Sequence, residues 1–114
     1  MNLNEIIQKL DLKVLTGESD LAAVEPAGGY ASDLLSCVMA KAQSGHIWVT
    51  LQAHPNVIAV ASLLNLAAVV ITEGVAPDDE TVERARENGV NLLGASQTTF
   101  AVVGQLSAMG VAGG

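Results

Sequence analysis

A histidine stands where a run of β-branched and apolar residues gives way to a proline, in residues 49–57 (VTLQAHPNV). Histidine changes charge close to neutral pH, and beside a carboxylate it can act as a general acid or base. Two carboxylates, Glu25 and Glu73, follow other apolar runs. One hypothesis is therefore a small enzyme that uses His54 with Glu25 or Glu73. The alternatives are that His54 contacts a ligand or a partner chain, or that it caps the helix that Pro55 begins.

Other catalytic and metal-binding arrangements are missing from the sequence. The second histidine, His46, begins the strand that ends before His54, so the two imidazoles lie about 25 Å apart at roughly 3.3 Å per residue. Two histidines at that distance cannot share a metal ion. Cys37 falls in the middle of a predicted helix, and Ser96 would join a nucleophilic triad only if it faced His54. We therefore predict no catalytic residue and no metal ligand, and we leave the cofactor unassigned.

Helices and strands are expected to alternate along the chain. An amphipathic helix (LNEIIQKLD) is followed by two short strands, LKVLTG and DLAAVEPAGG, of which the second is stopped by Pro26 and the glycines. Helices are then predicted over ASDLLSCVMAKAQSG, with Ser32 as its N-cap, and over PNVIAVASLLNL, PDDETVERARENG and TTFAVVGQLSAMG; strands are predicted over HIWVTL, AAVVIT and VNLLGA. The tail GVAGG is expected to fray. This alternation predicts an α/β fold of three layers (α/β/α). In it, helices cover both faces of a largely parallel sheet of about four to five strands.

The carboxyl ends of parallel strands form the edge of a sheet at which ligands bind. The predicted strand ends carry most of the small polar groups of the chain, together with two carboxylates, and contain no phosphate-binding loop motif. Such an edge favours a neutral, cationic or metal-chelated ligand, although the adjacent glycines could equally mark a turn that needs positive φ. The candidate ligand-binding residues are Glu25, Gly28, Gly29, Tyr30, Gln52, His54, Asn56, Thr72, Glu73, Gly74, Ser96, Thr98 and Thr99.

The composition narrows the kinds of partner. Half of the 114 residues are apolar and 15% are charged, which is typical of one globular domain. The net charge of −7 disfavours nucleic acid and anionic membrane, since both need a basic face. A single cysteine cannot form an internal disulfide, so we expect a cytoplasmic protein. Glu5 and Lys9 interrupt the apolar start of the chain, unlike a signal peptide, and apolar residues 57–71 are too few to span a membrane.

The helix predicted from Val57 to Leu66 is apolar on all sides, because only Ser62 and Asn65 within it are polar. A helix of this kind must be buried all round. In so small a domain, that burial favours a partner chain. We therefore predict a homodimer through this helix; the alternative is a central helix that lies between the sheet and the amino-terminal helix.

The order of residues 47–109 resembles the DRTGG domain family. The resemblance rests on a strand that ends in a polar turn, a strand that ends in Thr-x-Gly, and a Thr-Phe that opens the last helix, in IWVTLQAHPNVIAVASLLNLAAVVITEG and NGVNLLGASQTTF. The upstream residues GGYASDLLSCVMAKAQSGHIWVTLQAHPN are similar to stand-alone members of the family. Where the family tends to show Gly-Asp-Arg and Thr-Gly-Gly, this chain has QAH at residues 52–54 and TEG at residues 72–74.

The resemblance implies one domain over residues 1–114, related in fold to the amino-terminal domain of HPr kinase, with residues 1–30 packed on it as an extension. It implies a regulatory role without kinase activity. We therefore expect a non-catalytic regulatory or small-ligand-sensing homodimer, with a small-molecule ligand at the carboxyl ends of the strands and a regulated protein partner. The competing hypotheses are the small enzyme and a purely structural interaction module.

Overall fold

Five strands form one sheet in the computed structural model, which describes residues 1–17 and 20–113. The strands are β1 (Lys13–Thr16), β2 (Gly28–Ala31), β3 (His46–Thr50), β4 (Ala68–Ile71) and β5 (Leu92–Gly94). Their order across the sheet is β1-β5-β4-β3-β2. β1 runs antiparallel to β5, and the other neighbouring pairs are parallel. The predicted α/β fold with a largely parallel sheet is therefore confirmed.

Helices cover both faces of the sheet. α1 (Leu3–Leu10) and α5 (Thr99–Ala108) pack on one face, whereas α2 (Leu35–Lys41), α3 (Pro55–Leu64) and α4 (Asp79–Glu87) pack on the other. Since α2, α3 and α4 each join one parallel strand to the next, the chain winds in a single direction from β2 to β5. None of the helices in the described part of the chain is long and apolar enough to cross a membrane.

The central strands divide the core between the two faces. Ile47 and Val49 of β3 contact the cluster beneath α1 and α5, and Trp48, between them, contacts the cluster beneath α2, α3 and α4. Every residue of β3 and β4 is buried, as expected for parallel strands covered on both sides. The indole of Trp48 is fully buried, and its Nε1 donates a hydrogen bond to the carbonyl of Ser32 at 2.8 Å. This bond satisfies the one polar group of the largest core side chain.

The second strand lies further along the chain than predicted. The prediction of a strand over DLAAVEPAGG is wrong, because Leu21–Ala23 forms a short 3-10 helix and β2 begins only at Gly28. Pro26 has no N–H to donate to a ladder, and the position of an edge strand depends on its neighbour more than on local propensity. Gly28 pairs with His46, the first residue of β3, so the two glycines begin β2 instead of ending it.

The following helix also begins later than predicted. Its N-cap is Leu34, and Ser32, the predicted N-cap, accepts a hydrogen bond from the Leu34 N–H at 3.1 Å in the turn before the helix. The turn is therefore held by a serine two residues outside the cap, and α2 itself starts without a side-chain cap.

Gly28 and Gly29 permit a close approach between two segments of backbone, and neither has positive φ. A Cβ atom on Gly28 would lie 2.8 Å from the carbonyl oxygen of Ala112 and 3.1 Å from Nε2 of His46. The Gly29 N–H donates to that same carbonyl of Ala112 at 2.8 Å. The tail GVAGG was expected to fray, but Ala112 within it lies beside β2 and Val111 packs against the core, while Gly114 lies outside the described residues.

The apolar helix α3 lies in the middle of its face, where it contacts α2 on one side and α4 on the other. Val57, Ile58, Val60 and Ala61 are buried, whereas Leu63 is 70% exposed. The amino-terminal helix lies on the opposite face of the sheet. Most of the apolar surface that suggested a partner chain is thus covered within the chain.

Candidate functional site

The carboxyl ends of β2, β3, β4 and β5 lie along one edge of the sheet, because these strands are parallel. β1 is antiparallel and contributes its first residue, Lys13, which pairs with Gly94. We call this the carboxyl edge; it comprises residues 11–13, 32–34, 51–56, 72–78 and 95–99. The amino-terminal ends of α3, α4 and α5 also lie here, as expected where strands lead into helices.

His54 is the N-cap of α3, as one of the alternatives for it predicted. Its Nδ1 accepts a hydrogen bond from the Asn56 N–H at 3.1 Å, and Pro55 occupies the first helical position. An accepting Nδ1 carries no proton, so the neutral ring holds its proton on Nε2. Only Nε2 of His54 is then available to an external group. Asn56 is exposed in the first turn beside it.

Asp33 is a carboxylate at the carboxyl edge that sequence analysis missed. Its Oδ1 accepts hydrogen bonds from the Thr50 hydroxyl at 2.7 Å and from the Leu51 N–H at 2.9 Å. Gln52 Nε2 donates to the Asp33 carbonyl at 3.1 Å. These bonds tie the ends of β2 and β3 together. The signal was available in the sequence, since Asp33 follows the true end of β2 by two residues, but the early placement of that strand put Glu25 there instead.

Glu73 has a left-handed backbone, with φ of 63°. Its Oε2 accepts a hydrogen bond from the Thr99 N–H at 2.8 Å, which places a negative charge at the positive end of the α5 dipole. Thr98 is the N-cap of α5 and accepts from the Ala101 N–H. The hydroxyls of Thr72 and Thr99 lie 2.6 Å apart. The Glu73 carboxylate is thus engaged in holding the start of α5.

Asp78 caps α4. Its Oδ1 accepts a hydrogen bond from the Thr81 N–H at 2.9 Å. The buried Thr81 hydroxyl lies 2.9 Å from that oxygen and 2.9 Å from the carbonyl of Ala53. The bonds from the Thr81 backbone and hydroxyl hold the pKa of Asp78 below its ordinary value. The starts of α3 and α4 are therefore joined through Thr81.

A groove of about 570 Å³ opens at the β1 side of the carboxyl edge. β1 contributes Lys13 and Leu15 to its lining, the loop after β4 contributes residues 74–77, and α4 contributes Val82. Residues 94–96, at the end of β5, complete the lining. Of the predicted site residues, this groove brings together Gly74 and Ser96.

Four predicted site residues lie away from the carboxyl edge. Glu25 precedes β2 at the opposite edge, Gly28 and Gly29 begin that strand, and Tyr30 pairs with Trp48 inside the sheet. Gly29 and Tyr30 line a separate cavity of about 350 Å³ beneath α5. The prediction that these four residues join the others is wrong, and with it the pairing of His54 with Glu25. The physical cause is the displacement of β2.

No three His, Cys, Asp or Glu side chains within residues 1–17 and 20–113 lie close enough together to hold a metal ion. His46 is buried at the opposite end of β3 from His54, and its Nδ1 accepts a hydrogen bond from the Gln43 N–H at 3.2 Å. The second histidine is thereby accounted for as a core residue.

The family model of the DRTGG domain matches residues 5–109, a longer stretch than the resemblance drew on. Among solved structures, the chain is similar to the CBS and DRTGG domains of the regulatory region of Clostridium perfringens pyrophosphatase, complexed with the activator diadenosine tetraphosphate. The TM-score is 0.75 at 16% identity over 90% of this chain. The match spans 44% of that chain, and at this identity it bears on the fold. No curated protein matches the sequence.

Proposed function

This chain belongs to the DRTGG domain family, and on that premise we propose that it is a non-catalytic regulatory module that senses a small ligand at the carboxyl edge. The observation that carries the proposal is the groove of about 570 Å³ beside Gly74 and Ser96. Its volume is in the range of small-molecule sites, and it lies where open α/β sheets bind their ligands.

The hydrogen bonds of the carboxyl edge support a non-catalytic role. Glu73 accepts from the N–H of Thr99, Asp33 accepts from Thr50 and the chain after it, and His54 accepts from the N–H of Asn56. Glu73, Asp33 and His54 are thus each used to fix a turn or a helix start. To free one of these groups for proton transfer, its hydrogen bond would have to break, and that would lower the stability of the fold.

We also propose that the module acts as a homodimer in the cytoplasm and controls a protein partner. The outer side of α3 supports the dimer, because Leu63 is 70% exposed and Ala59 and Ser62 are exposed beside it. The lone cysteine, Cys37, supports a reducing compartment. The acidic net charge supports partners other than nucleic acid.

A ligand titration of the ¹⁵N-labelled full chain tests this function. The panel comprises nucleotides, acyl phosphates, amino acids and divalent ions, each followed by amide chemical shifts. We expect at least one compound to give saturable shifts at the carboxyl edge. The proposal is overturned if no compound gives a saturable shift, or if every shift falls around Gly29 and Val111 beneath α5.

A pair of serine variants provides the control. Ser96→Ala removes a hydroxyl from the groove and should weaken the compound that binds there. Ser107→Ala removes the exposed hydroxyl of Ser107, on α5 in the lining of the other cavity, and should leave the affinity for that compound unchanged. Equal affinities in both variants would place the ligand outside the groove.

A further inference from the structure

We infer that the groove at the carboxyl edge binds a small zwitterion with an apolar body, which is the chemistry of an apolar α-amino acid. The inference rests on the proposed function, since it names the class of ligand for the same edge. It is carried by the charges, the walls and the unengaged polar groups of the groove.

Two opposite charges line the groove. The Asp11 carboxylate and the Lys13 ammonium are both on exposed residues, and Leu12 between them is buried. The ion pairs among the described residues are Arg84–Glu80 and Arg86–Glu83, so neither groove charge is paired within this part of the chain. A ligand that carries one ammonium and one carboxylate would pair with both.

The neighbouring carboxylates are already engaged. Glu73 adjoins Gly74 of the groove but accepts from the Thr99 N–H, and Asp78 adjoins Pro77 but accepts from the Thr81 N–H. Asp11 is therefore the carboxylate that the groove leaves open to a ligand. With one lysine against this carboxylate, a polyphosphate would meet too little positive charge.

The walls of the groove are aliphatic. Leu15 and Val82 are partly buried at the margin of the core cluster beneath α4, and Val75 and Pro77 also line the groove. No aromatic residue is part of the lining, so the groove offers no ring on which a nucleobase could stack. A branched or aromatic amino-acid side chain gains its affinity from apolar contact with such walls. The exposed hydroxyl of Ser96 can donate to the ligand carboxylate beside Lys13.

The test uses L-leucine with two analogues that each lack one charge. Isocaproate lacks the ammonium and isoamylamine lacks the carboxylate. On the ¹⁵N-labelled full chain we expect leucine to give saturable shifts at residues 11–15, 74–77 and 94–96, and to bind at least tenfold more tightly than either analogue. Equal binding of leucine and isocaproate would overturn the charge matching.

Two substitutions separate the charges of the protein. Lys13→Met should weaken leucine at least tenfold and leave isoamylamine unchanged, whereas Asp11→Asn should weaken leucine and leave isocaproate unchanged. Asparagine tolerates the left-handed backbone of residue 11, whose φ is 54°, so the second variant keeps its fold. Lys9→Met removes an exposed lysine outside the groove and is the matched control for lost positive charge.

The outcomes distinguish this inference from the proposed function. If no amino acid binds but a nucleotide or an acyl phosphate shifts the carboxyl edge, the inference is wrong and the proposed function stands. If no compound binds at the carboxyl edge, both fail. If leucine binds with equal affinity to wild type and to both groove variants, the assignment to Asp11 and Lys13 is wrong.

Discussion

Several polar side chains at the carboxyl edge accept hydrogen bonds from the backbone at the starts of helices. His54, Asp78 and Thr98 cap three successive helices, and Glu73 accepts the Thr99 N–H from outside its helix. Helix starts leave backbone donors without intrahelical partners, and each of these four residues satisfies one of them. His54 and Glu73, whose residue types suggest acid–base chemistry, thus hold the starts of helices.

Glu73 is subject to two opposing effects that substitution can separate. Its left-handed backbone costs about 1–2 kcal/mol for a residue with a Cβ atom, while its bond to Thr99 stabilises α5 by about 1 kcal/mol. Glu73→Ala removes the bond and keeps the strain, so we expect it to lower the free energy of unfolding by about 1 kcal/mol. Glu73→Gly also relieves the strain and should be more stable than the alanine variant. Urea unfolding measures both; an alanine variant at least as stable as the glycine variant would contradict the argument.

Asp78 predicts a pH dependence of stability. Because hydrogen bonds from Thr81 lower its pKa in the folded protein, ionised Asp78 stabilises the fold above the pKa of an unfolded aspartate. That contribution is lost as the pH falls through the lowered folded value, so the window lies below about pH 4. Asp78→Asn should therefore show a shallower loss of unfolding free energy with falling pH than wild type does. Asp79→Asn, one residue further along in the same first turn, is the control and should follow wild type.

At the scale of elements, the alternation of helix and strand was predictable from hydrophobic periodicity from residue 46 onward. The N-cap at His54 was predictable as well, because Pro55 fixes the first helical position. The position of β2 was not predictable. Its glycines have poor strand propensity, and they are in the sheet because they pair with β3 and let the carbonyl of Ala112 approach. Residues 46 and 112 are distant from β2 in the sequence, so these contacts leave no local pattern. Because β2 was placed too early, Glu25 was predicted in the site in place of Asp33.

The close approach at β2 predicts different costs for two adjacent glycines. A Cβ on Gly28 would lie 2.8 Å from backbone oxygen and 3.1 Å from a buried imidazole. A Cβ on Gly29 would lie 3.3 Å from a side-chain methyl of Val111 and 3.6 Å from the Ile47 carbonyl oxygen, which is an ordinary contact distance. We expect Gly28→Ala to lower the free energy of unfolding by about 1–3 kcal/mol through overpacking. Gly29→Ala should cost less, because the methyl group can move. Urea unfolding tests the pair, and amide shifts at residues 110–113 should move further in Gly28→Ala than in Gly29→Ala. Equal stability of the two variants would count against the close approach.

At the scale of the whole molecule, the fold leaves only part of α3 exposed to a second chain. Two core clusters, one on each face of the sheet, lie within the described residues. The sequence alone suggested that α3 needs a second chain, yet α2 and α4 cover much of it. What remains for a partner is a narrower strip around Leu63.

A charge placed on that strip tests the proposed homodimer. Wild type should sediment as a dimer, and Leu63→Asp should sediment as a monomer with an unchanged free energy of unfolding of each subunit, since a 70% exposed side chain contributes little to the core. Leu34→Asp, at another position that is 60% exposed, is the matched control and should remain dimeric. A monomeric wild type, or a dimeric Leu63→Asp, would dismiss this dimer.

The antiparallel pairing of β1 with β5 has a consequence for the order of folding. The Thr16 hydroxyl bonds to the Val90 carbonyl at 2.6 Å across 74 residues, while each of β2, β3 and β4 pairs with the next strand along the chain. Among the pairings of neighbouring strands, the one that closes the longest loop loses the most entropy and forms late. Amides of β1 should then exchange with deuterium faster than those of β4, and equal rates would contradict this order. By this argument β1, which carries Lys13 and Leu15 of the groove wall, should be the last strand to pair, and a ligand bound to that wall would stabilise only the completed sheet.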